Sequence, residues 1–419
     1  MPMALLALPT IEDGGGTDEN AASCSSSLDC SALAIAARTG HPEMLNGLLR
    51  SNADPSLVDS SGRTPLHWAA LAGQSDAVST LLDAGADSTA TDGSGKSIAH
   101  LACGKAHAAV LEAVLTRRPD AVNDVAHGLT PLHLAAVGDF VAGIDLLLAS
   151  KANMNLLAIG ELSPLHLAAA RGAFSALNAL ITAGADLSII GERSGKQPLH
   201  AACEHGRSLT VGALIAARAS ADATDTHGST PLHWACKGGS HESVALLLGA
   251  RADANSLTKT GSTPLHLACE AATPQCVSLL LRAKASHSAS DGHGVQPIHA
   301  ACSVGSLECL QQLIDSGADV DARLSIAGKH DLSHLSETHT RTAMYLAAEH
   351  GHANILRLLI KKRADVNALA TIETDQALTK TSPLWVAKRG GHEEAAKVLV
   401  EAGAKEVADT VAKEVPVLV

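Results

Sequence analysis

Aromatic side chains are nearly absent from this 419-residue chain. It has three Trp, one Tyr and two Phe, 1% of its residues, although 46% are hydrophobic. A thick globular core draws much of its buried area from aromatic rings. The scarcity therefore argues against the two or three ordinary domains that this length would suggest. The apolar surface must be covered by many thin contacts lined with Ala and Leu, which favours a stack of small helical units. Basic charge is also in deficit: 31 Lys and Arg stand against 43 Asp and Glu, a formal charge of −12. That balance argues against a nucleic-acid partner. No apolar run reaches the roughly 18 residues needed to cross a bilayer. The opening "MPMALLALP" lacks the basic segment of a secretory leader. The nine Cys follow no pairing pattern, as suits a reducing compartment. The expectation is a cytoplasmic or nuclear protein without membrane association.

What the chain has in abundance is one repeated string. Units beginning at Thr64, Ser97, Thr130, Ser163, Gln197, Thr230, Thr263 and Gln296 follow one another every 33 residues, with a single step of 34. A degenerate copy, "SALAIAARTG", starts at Ser31, and looser ones, "TAMYLAAEHGH" and "SPLWVAKRGGH", start at Thr342 and Ser382. A period of this size marks a tandem repeat protein, here of about eleven units over residues 31–407. Most units open on a Thr or Ser suited to a helix N-cap, with Pro at the first helical position. A short Ala-rich helix follows, then a second helix with apolar residues at i, i+3 and i+4, such as Val244, Leu247 and Leu248. The second helix stops at strings like Gly184-Ala185-Asp186, and a D-x-x-G turn such as Asp59–Arg63 leads to the next cap.

The strings "TPLHLA", "LL..GAD" and "D..G.T", in register over about nine tenths of the chain, resemble the ankyrin repeat. The resemblance implies an all-α solenoid of helix-turn-helix and β-hairpin units, with a concave face that binds other proteins. Two hairpin segments are extended, Leu324–Arg341 and Ala370–Thr381, and insertions of this kind fall on loops that often carry binding. Residues 1–30, rich in Gly, Ser and acid, read as a disordered tail. Residues 408–419 read as a C-terminal tail with a short capping helix ending before Pro416.

The string H-x-x-C recurs at His100/Cys103, His200/Cys203, His233/Cys236, His266/Cys269 and His299/Cys302. Zinc needs three or four ligands converging on one point, whereas equivalent positions in adjacent units lie about a helix spacing apart. The Cys position holds Ala70, Ala136 or Ala169 in other units, so it selects a small buried side chain. The His is assigned to the cap. Trp68 and Trp234 fill a slot that is Leu elsewhere and read as packing residues. Cys276 and Cys309 share one position on neighbouring second helices, with no sign of a redox role. His330, Asp331, His334, Glu337 and His339 crowd the first long hairpin without completing a metal site. No catalytic constellation or phosphate-binding loop stands out, so no enzyme, cofactor, metal or small-molecule substrate is expected.

In ankyrin proteins the hairpin tips and the exposed positions of the first helix recognise partners. Mapped onto this sequence, they hold Arg63, Lys96, Lys105, Arg171, Arg193, Lys196, His205, His227, Lys237, Lys259, His293, Lys388 and Arg389, with Glu204, Glu270 and Glu349 among them, joined by His334 and His339 of the long hairpin. This mainly basic stripe predicts a protein partner presenting an acidic segment. The expected function is a non-enzymatic scaffold or adaptor. The alternative is a regulatory or targeting subunit of an enzyme complex, such as a phosphatase or ubiquitin ligase. The resemblance also places Asn155, Asn255 and Asn367 where asparaginyl hydroxylases modify some ankyrin proteins; turn chemistry accounts for Asn there equally well.

Overall fold

A computed structural model describes residues 31–158, 162–191, 193–326, 339–373 and 377–412. The tail 1–30, most of the first long hairpin with His330 and His334, and the end of the chain lie outside the described residues. The chain divides into two compact units, residues 1–192 and 193–419. Each is taken by itself below.

Unit 1 holds five helix pairs: Ala32–Thr39 with Pro42–Arg50, Pro65–Leu71 with Ser75–Asp83, Ile98–Gly104 with Ala108–Arg117, Pro131–Val137 with Val141–Ala149, and Pro164–Arg171 with Phe174–Thr182. Unit 2 holds six: Pro198–Glu204 with Ser208–Ala216, Pro231–Lys237 with His241–Gly249, Pro264–Glu270 with Pro274–Arg282, Pro297–Val304 with Leu307–Asp315, Ala343–Glu349 with Ala353–Lys361, and Pro383–Arg389 with Glu393–Glu401. None of these helices exceeds ten residues, and in water a helix of fewer than about 12 residues is marginal alone. Their stability comes from stacking. Ala and Leu columns such as Leu199, Ala202 and Cys203, then Leu232, Ala235 and Cys236, are fully buried.

The long hairpins are strands as well as loops. β1 (Arg323–Ile326) pairs antiparallel with β2 (His339–Thr342). β3 (Ala370–Glu373) pairs with β4 (Ala377–Thr381). The other edge of β4 is taken by β5, Ala408–Ala412, in register from Ala377↔Ala412 to Thr381↔Ala408. The expected capping helix is therefore a strand at these residues. Val407, whose carbonyl accepts the Ser382 N–H and whose own N–H donates to the Ser382 hydroxyl of the last cap, leads straight into that ladder.

At His100, His133, His200, His233 and His266 the recurring His links one repeat to the next. At His133 the main-chain N–H of Thr130 donates to Nδ1 at 3.1 Å, so Nδ1 carries no proton. Nε2 therefore holds the hydrogen and donates to the Leu162 carbonyl, at 3.1 Å, just before the next cap. In unit 2 the same geometry joins His200 to Gln197 N–H and the Ser229 carbonyl, His233 to the Ser262 carbonyl and His266 to the Val295 carbonyl. Where Tyr345 replaces the His, its hydroxyl meets Thr381 Oγ1 at 3.0 Å, again one residue before a cap. A second ladder runs along the turns after the second helices. Asn155 Oδ1 accepts the Asp186 N–H, Asn255 Oδ1 the Ser286 N–H at 2.8 Å and Asn367 Oδ1 the Lys405 N–H at 2.8 Å.

Those turns require a left-handed residue. Gly85, Gly184, Gly317 and Gly403 supply it in four repeats, but Lys151, Arg218, Arg251, Lys284 and Arg363 stand there in five others, with φ between 64° and 67°. A side chain at such φ costs roughly 1–2 kcal/mol, set against roughly 0.3–1 kcal/mol gained by a cation at a helix C-terminus. Replacing Lys151 or Arg251 by Gly should therefore raise stability by about 0.5–1 kcal/mol, read from denaturant midpoints. Lys237→Gly, inside a helix, should lower it by about as much.

Burial holds the cap imidazoles neutral, depressing the affinity of His200, His233, His266 and His299 for a proton and taking His133 down to about 4. The unfolded chain protonates near 6.5. The stability these rings contribute is thus complete above about 6.5 and falls with pH, each ring losing up to about 1.4 kcal/mol per pH unit until its folded value is passed. Thermal melts at pH 7.5, 6.5 and 5.5 should show a progressive drop. The turn carboxylates Asp59 and Asp92 respond in a separate window. Burial would raise them, but hydrogen bonds from Ser61 and Ser94 hold them low, so their contribution fades only below about pH 4. A melting temperature flat between 7.5 and 5.5 would contradict the assigned tautomer.

Candidate partner-binding face

Several hairpin tips are organised by an acid, and that of Lys259 by the Thr258 hydroxyl. Asp59 Oδ1 accepts the N–H groups of Ser61 and Arg63 at 2.9 Å, and Asp225 Oδ1 those of His227 and Ser229 at 2.8 Å. Successive tips are joined through the backbone: Thr226 N–H to the Ser194 carbonyl, Lys259 N–H to the His227 carbonyl, and Gly292 N–H to the Thr260 carbonyl. The side chains between these anchors are directed away from the core. Arg193, His227, Lys259 and His293 are exposed at the tips of unit 2, and His205, Lys237, Lys388 and Arg389 are exposed at the ends of its first helices. In unit 1, Lys105 is exposed while Arg63, Lys96 and Arg171 are half-buried. His339 lies in β2, and His334 is outside the described residues.

Aromatic rings organise part of this face, where sequence alone predicted only packing. The Trp234 indole donates to Asp225 Oδ2 at 3.0 Å. Lys196 Nζ lies 3.6 Å from the centre of that ring, and Lys237 Nζ 5.0 Å. Trp68 repeats the arrangement, donating to Asp59 Oδ2 at 2.9 Å beneath Arg63, at 5.1 Å. Arg389 covers Trp385 at 4.9 Å. Such contacts hold a cation in place at a gain of roughly 0.5–1 kcal/mol each at exposed sites. The slot's Leu-to-Trp exchange and the lysines around it were the signals.

The stripe is also less uniformly basic than its positions suggested. Glu204 pairs with Lys196 at 2.7 Å, Glu349 with Arg341 at 3.0 Å, and Glu406 with Lys388. The outcome is a mixed face in which cations alternate with acids. Glu204 and Glu349 are the last residues of first helices and Glu406 follows the final second helix.

The H-x-x-C strings hold no site. Both ring nitrogens of their His residues are engaged by the backbone in the way described for His200 and His233. Cys103, Cys203, Cys236, Cys269, Cys276, Cys302 and Cys309 are all free and buried, and burial pushes their thiols well above the ordinary range. Among the described residues no group of three or more His, Cys, Asp or Glu is placed to hold a metal ion, and no helix is long and apolar enough to cross a membrane.

Paired short helices joined by acid-anchored tips and repeated every 33 residues define a tandem helix–hairpin repeat protein. The family model for ankyrin repeats (3 copies) matches residues 14–92, 165–257, 239–324 and 323–410, and that for the single ankyrin repeat matches 127–158. The chain belongs to the ankyrin-repeat family, whose repeats are protein–protein interaction modules. No curated protein matches the sequence. Among solved structures it is similar to the ankyrin repeat domain of human ASB11, at 30% identity over 52% of this chain and 98% of that one, with a TM-score of 0.47.

Because the cysteines are packed in the core as thiols rather than thiolates, iodoacetamide under native conditions should leave these seven unmodified by peptide mapping. Denaturant should expose them all. Rapid native labelling of Cys236 or Cys269 would refute the core assignment.

Proposed function

We propose that the chain is a non-enzymatic adaptor that captures a protein partner on the tip and first-helix face of unit 2. The observation that carries the reading is the cluster at Trp234. A half-buried indole, fixed by Asp225, holds Lys196 and Lys237 in place, while His227 and Lys259 stand exposed on the adjoining tips. Interfaces are dominated by a few aromatic and cationic anchors with restricted geometry, and this is where the face offers both together. An acidic segment is the chemistry that two ring-held ammonium groups fit, with Glu204 rejecting poorly placed acids by repulsion. Rigid helices present the anchors and the tips vary them, so recognition needs no chemical step.

The test is affinity capture with the intact chain and with a variant carrying Arg193→Glu, Lys196→Glu and Lys237→Glu, compared by quantitative mass spectrometry. Stoichiometric partners held by the intact chain should fall at least tenfold with the variant, while circular dichroism stays the same. Equal capture by both chains would show that this face is not the site.

A further inference from the structure

A second surface lies where the second helices finish. We propose that in unit 2 the edge formed by Arg218, Arg251 and Lys284 docks an extended acidic peptide segment carrying an acid at every third residue. The inference is independent of the tip face.

Three observations support it. The first is selection of a cation against backbone preference. Arg218, Arg251 and Lys284 occupy the left-handed position at φ 67°, 66° and 64°, which Gly fills without strain elsewhere in the same fold. Attraction to the helix C-terminus does not explain the choice. The residues one step earlier, Ala217, Ala250 and Ala283, have φ between −76° and −81°. A Lys or Arg there would meet the same helix end without the strain. A costly conformation kept for one kind of side chain points to a use for that side chain.

The second is availability. All three side chains are exposed, as is Arg282 beside them. None of the four has an ion pair among the described residues. The nearest acids in sequence to Arg218 and Arg251 are partly occupied by backbone: Asp222 Oδ1 accepts the Asp253 N–H at 3.0 Å, and Asp253 Oδ1 the Asn255 N–H at 2.9 Å. The third is spacing. The three cations stand in consecutive repeats, and packed helices lie about 8–10 Å apart. A peptide in the extended polyproline II conformation advances about 3.1 Å per residue with about three residues per turn, so every third side chain falls on one face and meets the next cation. The chain's net charge of −12 works against a long polyanion such as a nucleic acid and favours a short segment that touches only this edge.

The experiment uses the full chain and two fluorescein-labelled 15-residue peptides of identical composition, one repeating Glu-Ser-Gly and one with its five Glu in a block. Anisotropy is read at 50 and 200 mM NaCl, against the intact chain and an Arg218→Gly, Arg251→Gly, Lys284→Gly variant. The spaced peptide should bind the intact chain at least fivefold more tightly than the block peptide, and more weakly at the higher salt. The triple variant should lose at least tenfold of that affinity while its melting temperature rises, which rules out unfolding as the cause. The Arg193→Glu, Lys196→Glu, Lys237→Glu variant should bind the spaced peptide as the intact chain does. The proposal is overturned if the spaced peptide does not bind, if both peptides bind alike, or if the triple glycine variant binds undiminished. It is equally overturned if the tip-face variant loses the peptide, or if a 15-nucleotide oligo-dT binds more tightly with the same dependence on the three cations.

Discussion

An imidazole ring that accepts at one nitrogen and donates at the other is the connection on which the stack depends. At His100, His133, His200, His233 and His266, Nδ1 closes the helix N-terminus and Nε2 reaches the carbonyl at the entrance to the following repeat. Neutrality is essential to both roles. A proton on Nδ1 would turn it from an acceptor into a donor facing the cap N–H. The ring is thus a structural coupler whose fidelity is set by protonation, and the Pro, Ala and Leu around it keep it dry. The same demand explains the replacement at Tyr345, a side chain long enough to reach across the widened gap to Thr381.

With that coupling in the interior, the surface is left to vary. Tips fixed by Asp59, Asp92, Asp225 and Asp291 carry side chains that the fold does not constrain. Chemistry that resembles a site in the sequence turns out to be framework, as with the five His–Cys pairs. Positions that resemble mere punctuation, the tip residue after Asp or the residue closing a second helix, are those free to bind.

The repeat was legible because a 33-residue period, an N-cap followed by Pro and the alternation of two apolar helices are each local signals. Trp68 and Trp234 were readable as packing residues, since Leu takes their place elsewhere. Their hydrogen bonds to turn acids reach back nine residues across the cap, and Lys196 meets Trp234 from the preceding repeat, which no window on one unit displays. The strand at Ala408–Ala412 was misread as helix because "VADTVA" has no turn signal before it, and its partner β4 lies 27 or more residues upstream. The cations at Arg218, Arg251 and Lys284 were visible as departures from "GAD". Their meaning depends on the sign of φ, which composition does not give.

β5 also changes how the last repeat comes apart. Repeat arrays ordinarily fray by shedding terminal units one helix at a time. Here the final helix pair, Pro383–Arg389 and Glu393–Glu401, lies in the loop closed by the β4–β5 ladder. Peeling back either helix first requires that ladder to open, or leaves a tethered loop with less chain entropy than a free end. The terminal repeat is thereby bolted shut at both of its margins, and its amides should exchange with solvent as one cooperative block instead of a gradient that decays toward the chain end.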